Sequence, residues 1–413
     1  MEQNKSQIDN LLSSISKLYP KYIDLNLSRL RNLLNKLDNP QNKLPPVIHI
    51  AGTNGKGSTL IFIKSIMQEY GLKVHCYTSP HLIRFNERII ISNRQIEDND
   101  LLKTLKEVIE INNNEKITFF ELTTAVALLT FSRKKADFCL IETGLGGRLD
   151  ATNIIKRKIL NIITSIGLDH EEFLSPYLKN IVTEKCGILS KNIPVVISKQ
   201  NSRYKSNLLK HRVKDINCKS LKLKPIPKNS SLGLEGNHQN INAQTAVTAI
   251  KYILKDINND IIKKGLRKTF WPGRIQKLTT KNNFINKSNE ILIDGAHNIE
   301  GAKIINYHLN KLNVGKWNFI FGMMNNKNPK KFIDIIETHI EKIIFVPIQN
   351  QKNSYQPEKL KIMFKEKKFI TKADKDLKSA MNSISSNKPL FITGSLYLIG
   401  EVLRLFSNKK LDF

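Results

Sequence analysis

The chain has 413 residues, 40% hydrophobic and 25% charged, the composition of a globular protein with room for two or three domains. Its formal net charge is +30, but the cations are spread along the whole sequence with neither a basic tail nor interleaved aromatics. The charge therefore reads as a solvated surface that gathers small polyanions, not as a nucleic-acid face. No stretch approaches the ~18 apolar residues of a membrane span, residues 1–10 lack the apolar core of a secretory signal, and Cys76, Cys139, Cys186 and Cys218 show neither a C-x-x-C pair nor framework spacing. A cytoplasmic protein with reduced thiols is expected.

Two helical patterns come first, on Leu11, Ile15 and Leu18 and on Leu30, Leu33, Leu34 and Leu37, with Tyr22-Ile23-Asp24-Leu25 between them and Pro45-Pro46 closing the segment. An apolar strand from Val47 then runs into Ala51-Gly52-Thr53-Asn54-Gly55-Lys56-Gly57-Ser58-Thr59, and a helix-compatible stretch over 60–70 follows. Glycines free backbone N–H groups to close around phosphate oxygens, and a helix N-terminus behind them adds a positive dipole end. Lys56 can neutralise the β- and γ-phosphates, and Ser58 or Thr59 can ligate Mg²⁺. The spacing departs from G-x-x-x-x-G-K-[ST], because Ile50 takes the first glycine's place and Gly57 separates the lysine from the hydroxyls.

Strand patterns at 73–77, 138–141, 160–165 and 195–198 alternate with helical patterns at 120–131, 177–189 and 241–254, which predicts a mostly parallel sheet with helices on both faces. A boundary falls at Trp271-Pro272-Gly273-Arg274. Beyond it, strands at 290–293, 318–321, 342–346 and 390–393 alternate with helices at 298–312, 329–340 and 396–406, enough for a smaller Rossmann-like α/β domain. The expected domains are therefore 1–273 and 274–413, with the active site in the cleft between them.

Four further segments carry chemistry. Glu142-Thr143-Gly144-Leu145-Gly146-Gly147-Arg148-Leu149-Asp150-Ala151-Thr152-Asn153 begins at a strand's C-terminal end, where Glu142 can hold Mg²⁺ directly or through water. Asp169-His170 lies at another strand end. His170 reads as a metal ligand or a base, although imidazole is an unusual choice for Mg²⁺. Lys185 in a helical stretch reads as a surface lysine or a phosphate contact. Gly236-Asn237-His238-Gln239 and Asn242 open a helix. In the last domain Asp294-Gly295-Ala296-His297-Asn298 forms a strand-to-helix turn; Asp294 can accept a ribose hydroxyl, and Arg274 can reach phosphate.

Taken together, these motifs resemble the folylpolyglutamate synthase/dihydrofolate synthase branch of the Mur ligase family from Tyr22 to Glu401. Ser79-Pro80-His81-Leu82, Phe85-Asn86-Glu87-Arg88 and Gly394-Ser395-Leu396-Tyr397 add to the match. The resemblance implies an ADP-forming carboxylate–amine ligase that uses ATP and Mg²⁺, the latter at two sites. It implies triphosphate binding by Gly55, Lys56, Gly57 and Ser58, and further nucleotide contacts from Asn242, Arg274 and Asp294. It implies Mg²⁺ ligation by Ser79, Glu142 and His170, and a carbamylated Lys185 that holds the second ion. It places the pterin side on Tyr22, Ile23, Asp24 and Leu25, on Thr118, Phe119, Phe120 and Glu121, and on Leu149, Asp150 and Ala151.

The expected reaction adds L-glutamate to dihydropteroate, to tetrahydrofolate and its polyglutamates, or to both, through an acyl phosphate. His297 is the candidate for orienting or deprotonating the amine, alongside Lys56 and Lys185 as catalytic groups. The resemblance suggests a monomer and no macromolecular partner. A Mur-type amide ligase acting on another carboxylate is the alternative; a nucleic-acid-dependent ATPase finds no helicase-like motif set.

Overall fold

The computed structural model describes residues 2–18, 24–278, 290–384 and 388–406. These form two compact units. Of the described residues, one takes those up to Gly233 together with Asn240–Thr269, and the other takes Leu234–Gln239 and those from Phe270 onward.

The first unit holds β1 (Val47–Ala51), β2 (Val74–Tyr77), β3 (Ile89–Ile91), β4 (Arg94–Gln95), β5 (Phe138–Glu142), β6 (Lys158–Ile163), β7 (Val195–Ile197) and β8 (Ser220–Leu221), in the sheet order β4-β3-β2-β5-β1-β6-β7-β8. All neighbours are parallel except the β2-β3-β4 meander. The central strand β1 reads Val-Ile-His-Ile-Ala and is buried throughout, as a parallel strand covered on both faces must be. Its register sets Ile50 beside Glu142 of β5 and Ile162 of β6, so three strands open their C-terminal ends at one edge. Loops that carry ligands gather at such an edge.

Helix Phe119–Arg133 is buried continuously from Glu121 to Phe131. It packs against helices Asp98–Asn112 and Ser28–Lys36, and Thr123, Thr124 and Thr130 return their hydroxyls to its own backbone carbonyls. A helix enclosed over this central stretch shows no amphipathic stripe there and rests on tertiary packing.

The second unit holds β9 (Gln276–Leu278), β10 (Ile291–Asp294), β11 (Trp317–Phe321), β12 (Ile340–Phe345), β13 (Ile370–Ala373) and β14 (Leu390–Thr393), in the order β13-β12-β11-β14-β10-β9. Only β9 runs antiparallel to its neighbour. Trp317, Phe319, Phe321, Phe332, Phe345 and Phe391 form an aromatic core on this sheet. All four cysteines are free and buried. Among the described residues no helix is long and apolar enough to cross a membrane.

Element boundaries differ from the sequence expectation where pairing wins over local pattern. The helix expected over 329–340 stops at Ile336, and after a 3-10 turn Ile340 already pairs with Trp317 as the first residue of β12. The strand expected over 160–165 spans Lys158–Ile163. Ser165 turns out to accept the Thr53 and Asn54 backbone N–H groups at 2.8 and 3.2 Å, tying it to the phosphate-type loop after β1.

Candidate active site

The loop after β1 is shaped by its glycines. Gly55 adopts φ +86° as the residue before helix Lys56–Glu69, and a Cβ there would lie 2.3 Å from Asn242 Oδ1. Only glycine meets both demands. This contact places Asn242 against the loop. Thr53 braces the loop from below, its hydroxyl donating to Gly167 O and accepting from Gly167 N. Ser58 and Thr59 are both buried in the first turn of the helix; Gly57 precedes them.

Two lysines converge on one carbonyl oxygen. Lys185 Nζ donates to Gly52 O at 2.8 Å, and Lys56 Nζ lies 3.3 Å from the same oxygen and 3.2 Å from Thr53 O. Burial first, and then the neighbouring Lys56 charge, lowers Lys185 from 10.5 to about 7, with Asp169 and Asp150 pulling the other way. A lysine chosen from sequence as a surface or phosphate group is thus an enclosed amine that is largely neutral at physiological pH.

The helix that carries it, Leu178–Cys186, is stitched to the glycine-rich loop after β5. Arg148 donates from its backbone N to Glu184 O (2.8 Å) and from Nε to the Glu184 carboxylate (2.9 Å). Asn153 Nδ2 donates to Arg148 O and Gly187 O, and Lys158 Nζ donates to Asn153 Oδ1 and Ile188 O. Burial brings Lys158 down to about 7 as well. Gly147 lies so close that a Cβ would sit 2.8 Å from both Glu184 O and Lys185 O.

Glu142 ends β5 with its carboxylate enclosed. Oε2 accepts the Ser79 backbone N–H at 3.3 Å, and Oε1 lies 3.9 Å from Lys56 Nζ. Oxygen donors on Glu142 and Ser79 beside a phosphate-type loop fit Mg²⁺, which commonly takes one or two protein oxygens and completes its shell with phosphates and water. Among the described residues no three His, Cys, Asp or Glu side chains converge as a metal cluster. His170 has φ +53°, bonds its backbone N to Asp169 Oδ1 (2.9 Å) and holds Nε2 4.0 Å from Asp169 Oδ2.

On the expected pterin side, Tyr22 and Ile23 lie outside the described residues. Asp24 and Glu121 are joined by Arg29, a residue that sequence reading missed. Its guanidinium donates to Asp24 Oδ2 at 3.0 Å and bidentately to Glu121 at 3.0 and 3.1 Å. Glu121 also accepts Thr118 N while Thr118 Oγ1 accepts Glu121 N, a reciprocal helix cap.

Asp150 is buried, and its carboxylate is taken up by its own loop. Oδ2 accepts Leu145 N at 2.7 Å, and Oδ1 accepts the Thr152 N–H and hydroxyl. Thr152 in turn meets Nε2 of the fully buried His49, 2.8 Å away. Because the hydroxyl donates to Asp150, His49 donates from Nε2, and burial holds the ring neutral by pushing its pKa well down. Asp150 therefore shapes the loop around Leu149 and Ala151.

In the second unit Asp294 ends β10. Its carboxylate accepts Ile275 N and Ala296 N, each at 2.8 Å. Burial raises its pKa, and the nearby Arg274 charge and the two N–H groups oppose that rise. Gly295 N bonds Gly273 O, which ties the Trp271–Arg274 motif to the Asp294 turn. His297 Nδ1 lies 2.9 Å from Gly295 O; a carbonyl only accepts, so Nδ1 carries a proton there. Ala296 O accepts Gly394 N, which joins the Gly394-Ser395 motif to the same turn.

The profile of the family described as dihydrofolate synthetase, C-terminal domain, matches residues 276–405. The chain is 32% identical to the dihydrofolate synthetase of Saccharomyces cerevisiae, over 94% of this chain and 99% of that protein. It is 30% identical to the dihydrofolate synthase/folylpolyglutamate synthase of Bacillus subtilis, over 91% and 94%. Among solved structures, folylpolyglutamate synthase from Mycobacterium tuberculosis, complexed with ADP and AMPPCP, shares the fold with a TM-score of 0.85 at 22% identity, over 98% of this chain and 99% of that one. The enzyme of the same name from Thermotoga maritima gives 0.80 at 27%, over 98% of each chain. With relatives at this identity spanning nearly the full length of both chains, the protein belongs to the dihydrofolate synthase/folylpolyglutamate synthase family of ligases, with its two-domain, Mur ligase-like fold.

Proposed function

We propose that this protein uses ATP to join L-glutamate to the carboxylate of dihydropteroate and to the terminal carboxylate of reduced folates. The observation that carries the reading is the pair of lysine amines that meet on Gly52 O, that of Lys185 with its pKa lowered by burial, beside the enclosed Glu142 carboxylate.

In the first step the acceptor carboxylate oxygen attacks the γ-phosphorus. The bond to the β–γ bridging oxygen breaks, giving an acyl phosphate and ADP. Gly55, Lys56, Gly57 and Ser58 hold the triphosphate, with Asn242, Arg274 and Asp294 as further nucleotide contacts. Lys56 offsets the charge that builds on the transferring group. Bound Mg²⁺ would supply charge neutralisation at the β- and γ-oxygens, with Ser79, Glu142 and His170 as its protein ligands.

Lys185 prepares a second cation site. The lone pair of its neutral amine adds to CO₂, an N–C bond forms as one C–O π bond opens, the nitrogen gives up a proton to solvent, and a neutral amine becomes a carbamate anion with two oxygens. In the second step the α-amine of glutamate attacks the acyl carbon and phosphate departs. His297 takes the amine proton on Nε2. The chain from residue 274 onward is the glutamate side of this reading, and the segments around Asp24–Leu25, Thr118–Glu121 and Leu149–Ala151 line the pterin side. A monomer in a reducing, cytoplasmic setting is in keeping with four free, buried cysteines.

A narrower reading, dihydropteroate alone, is favoured by the name of the yeast relative and of the matched C-terminal domain. Incubation with Mg·ATP, radiolabelled glutamate and either acceptor distinguishes them. Label in dihydrofolate and in folate polyglutamates supports both activities, and label in dihydrofolate alone supports the narrower one. No label with either, in protein that binds ATP, points to a different carboxylate.

A further inference from the structure

Arg88 is a buried cation that nothing in the mechanism uses. It is 6% exposed, and its Nε donates to His81 Nδ1 at 2.9 Å. Its guanidinium carbon lies 5.3 Å from the Phe85 ring centre and 5.7 Å from that of Phe119, two rings packed edge to face against each other. Among the described residues no carboxylate pairs with Arg88, and no acceptor meets Nη1 or Nη2. Neither nitrogen is among the polar atoms sealed from solvent without a partner, so the tip of the fork reaches an opening while its stem is enclosed.

A buried guanidinium without a counter-charge is unfavourable unless a ligand completes it. Cation–π contact with two phenylalanines and one hydrogen bond to a neutral imidazole hold the group in place but leave its charge uncompensated. The two open nitrogens form the planar fork that matches a carboxylate.

The surroundings identify the ligand. Phe119 belongs to the helix start that bears Thr118 and Glu121, and the neighbouring Phe120 ring packs on Gly144 and on Tyr77, whose ring centre is 6.0 Å away. His81 follows Ser79, the residue bonded to Glu142. Arg88 thus sits, through Phe119 and His81, among the residues of the proposed acceptor side. The reacting carboxylate needs its lone pairs for phosphorus, and a bidentate guanidinium would occupy them. Dihydropteroate has only that one carboxylate. A folate acceptor has a second, the α-carboxylate of its terminal glutamate, which does not react.

We propose that Arg88 binds the non-reacting α-carboxylate of a folate acceptor and so sets the preference between folate and dihydropteroate. This rests on the ligase reading above. The test compares kcat/KM for tetrahydrofolate and dihydropteroate in wild type, Arg88→Ala and Arg88→Lys. The expected result is a fall of about 10- to 100-fold in the ratio of tetrahydrofolate to dihydropteroate kcat/KM for Arg88→Ala, with partial recovery in Arg88→Lys.

Tetrahydropteroyl-4-aminobutyrate, which lacks the α-carboxylate, serves as a second arm that needs no variant. Wild type should use it about as poorly as Arg88→Ala uses tetrahydrofolate, and Arg88→Ala should no longer separate the two compounds. An unchanged ratio, or a wild-type enzyme indifferent to the α-carboxylate, overturns the assignment. So does a wild-type enzyme that accepts dihydropteroate alone, which leaves the ligase reading intact. Inertness with every acceptor removes the ligase reading and the assignment with it.

Discussion

Replacing Lys185 with methionine should stabilise the protein at neutral pH while abolishing ligation, and the size of the effect follows from the enclosed amine. The side chain is buried, and its pKa falls from 10.5 to about 7. Each tenfold change in a protonation equilibrium corresponds to ~1.4 kcal/mol, so enclosing the protonated amine costs about 5 kcal/mol. Below pH ~7 both folded and unfolded chains carry the proton, and the whole cost is present. Between about 7 and 10.5 only the unfolded chain binds it, so stability contributed by this residue rises with pH and the cost fades, to about 3 kcal/mol at pH 8.5. Methionine removes the charge but also the bond to Gly52 O, which offsets the gain by about 1 kcal/mol.

The assay is urea unfolding of wild type and Lys185→Met from pH 6 to 9.5 in CO₂-free buffer. The variant should be the more stable by several kcal/mol at pH 6, with the gap closing as pH rises. A gap that is flat or widens with pH would refute the reasoning. The same titration governs chemistry. At pH 7.5 about three quarters of this amine is neutral, against roughly one part in a thousand for an ordinary lysine, and only the neutral amine adds to CO₂.

Three further outcomes are expected. Gly55→Ala forces a strained φ and drives a Cβ into Asn242, so ATP affinity by calorimetry should fall at least about tenfold, with ~1–3 kcal/mol of stability lost. Arg29→Ala strips the bidentate partner from the buried Glu121 and should destabilise by about 3 kcal/mol in urea while raising the acceptor KM more than the ATP KM. Asp294→Asn leaves one of two backbone N–H groups facing an amide NH₂, and a loss of about 1–3 kcal/mol in thermal or urea unfolding should follow.

The sheets were legible because a parallel strand buried on both faces must be apolar along its length. β1, β5, β11 and β14 declare themselves in this way, and glycine or a lone acid at their ends marks where ligands can approach. The β3–β4 hairpin was not legible. Its strands have only three and two residues, and its turn rests on Ser92 and Asn93 at positive φ, without a glycine to signal it. Arg29, and the contacts of Arg88 within its matched motif, escaped for another reason. An arginine's role depends on what its fork meets, and Glu121 stands 92 residues from Arg29 in sequence. No local pattern separates a solvated arginine from one that clamps a helix cap or waits for a carboxylate. His49 escaped likewise, since one polar residue inside an apolar strand carries no sign of a threonine 103 positions away.

The segment 142–153 shows how a legible motif can be read for only half of what it does. Its glycines suggest close approach to a ligand, yet the carbonyls of Glu184 and Lys185 occupy the space beside Gly147. Arg148, Asn153 and Lys158 grip the same helix end from three directions. The loop and the helix therefore move as one block, and that block fixes where the Lys185 amine can reach. Gly52 lies 133 positions away from Lys185 in sequence, yet its carbonyl is the oxygen the amine finds. A lysine on a freely placed helix would turn to water and keep its ordinary pKa; held by this loop it is enclosed and gives up its proton. The glycine motif thus serves the lysine as much as any ligand, because a side chain at position 147 would push the helix end away and return the amine to solvent.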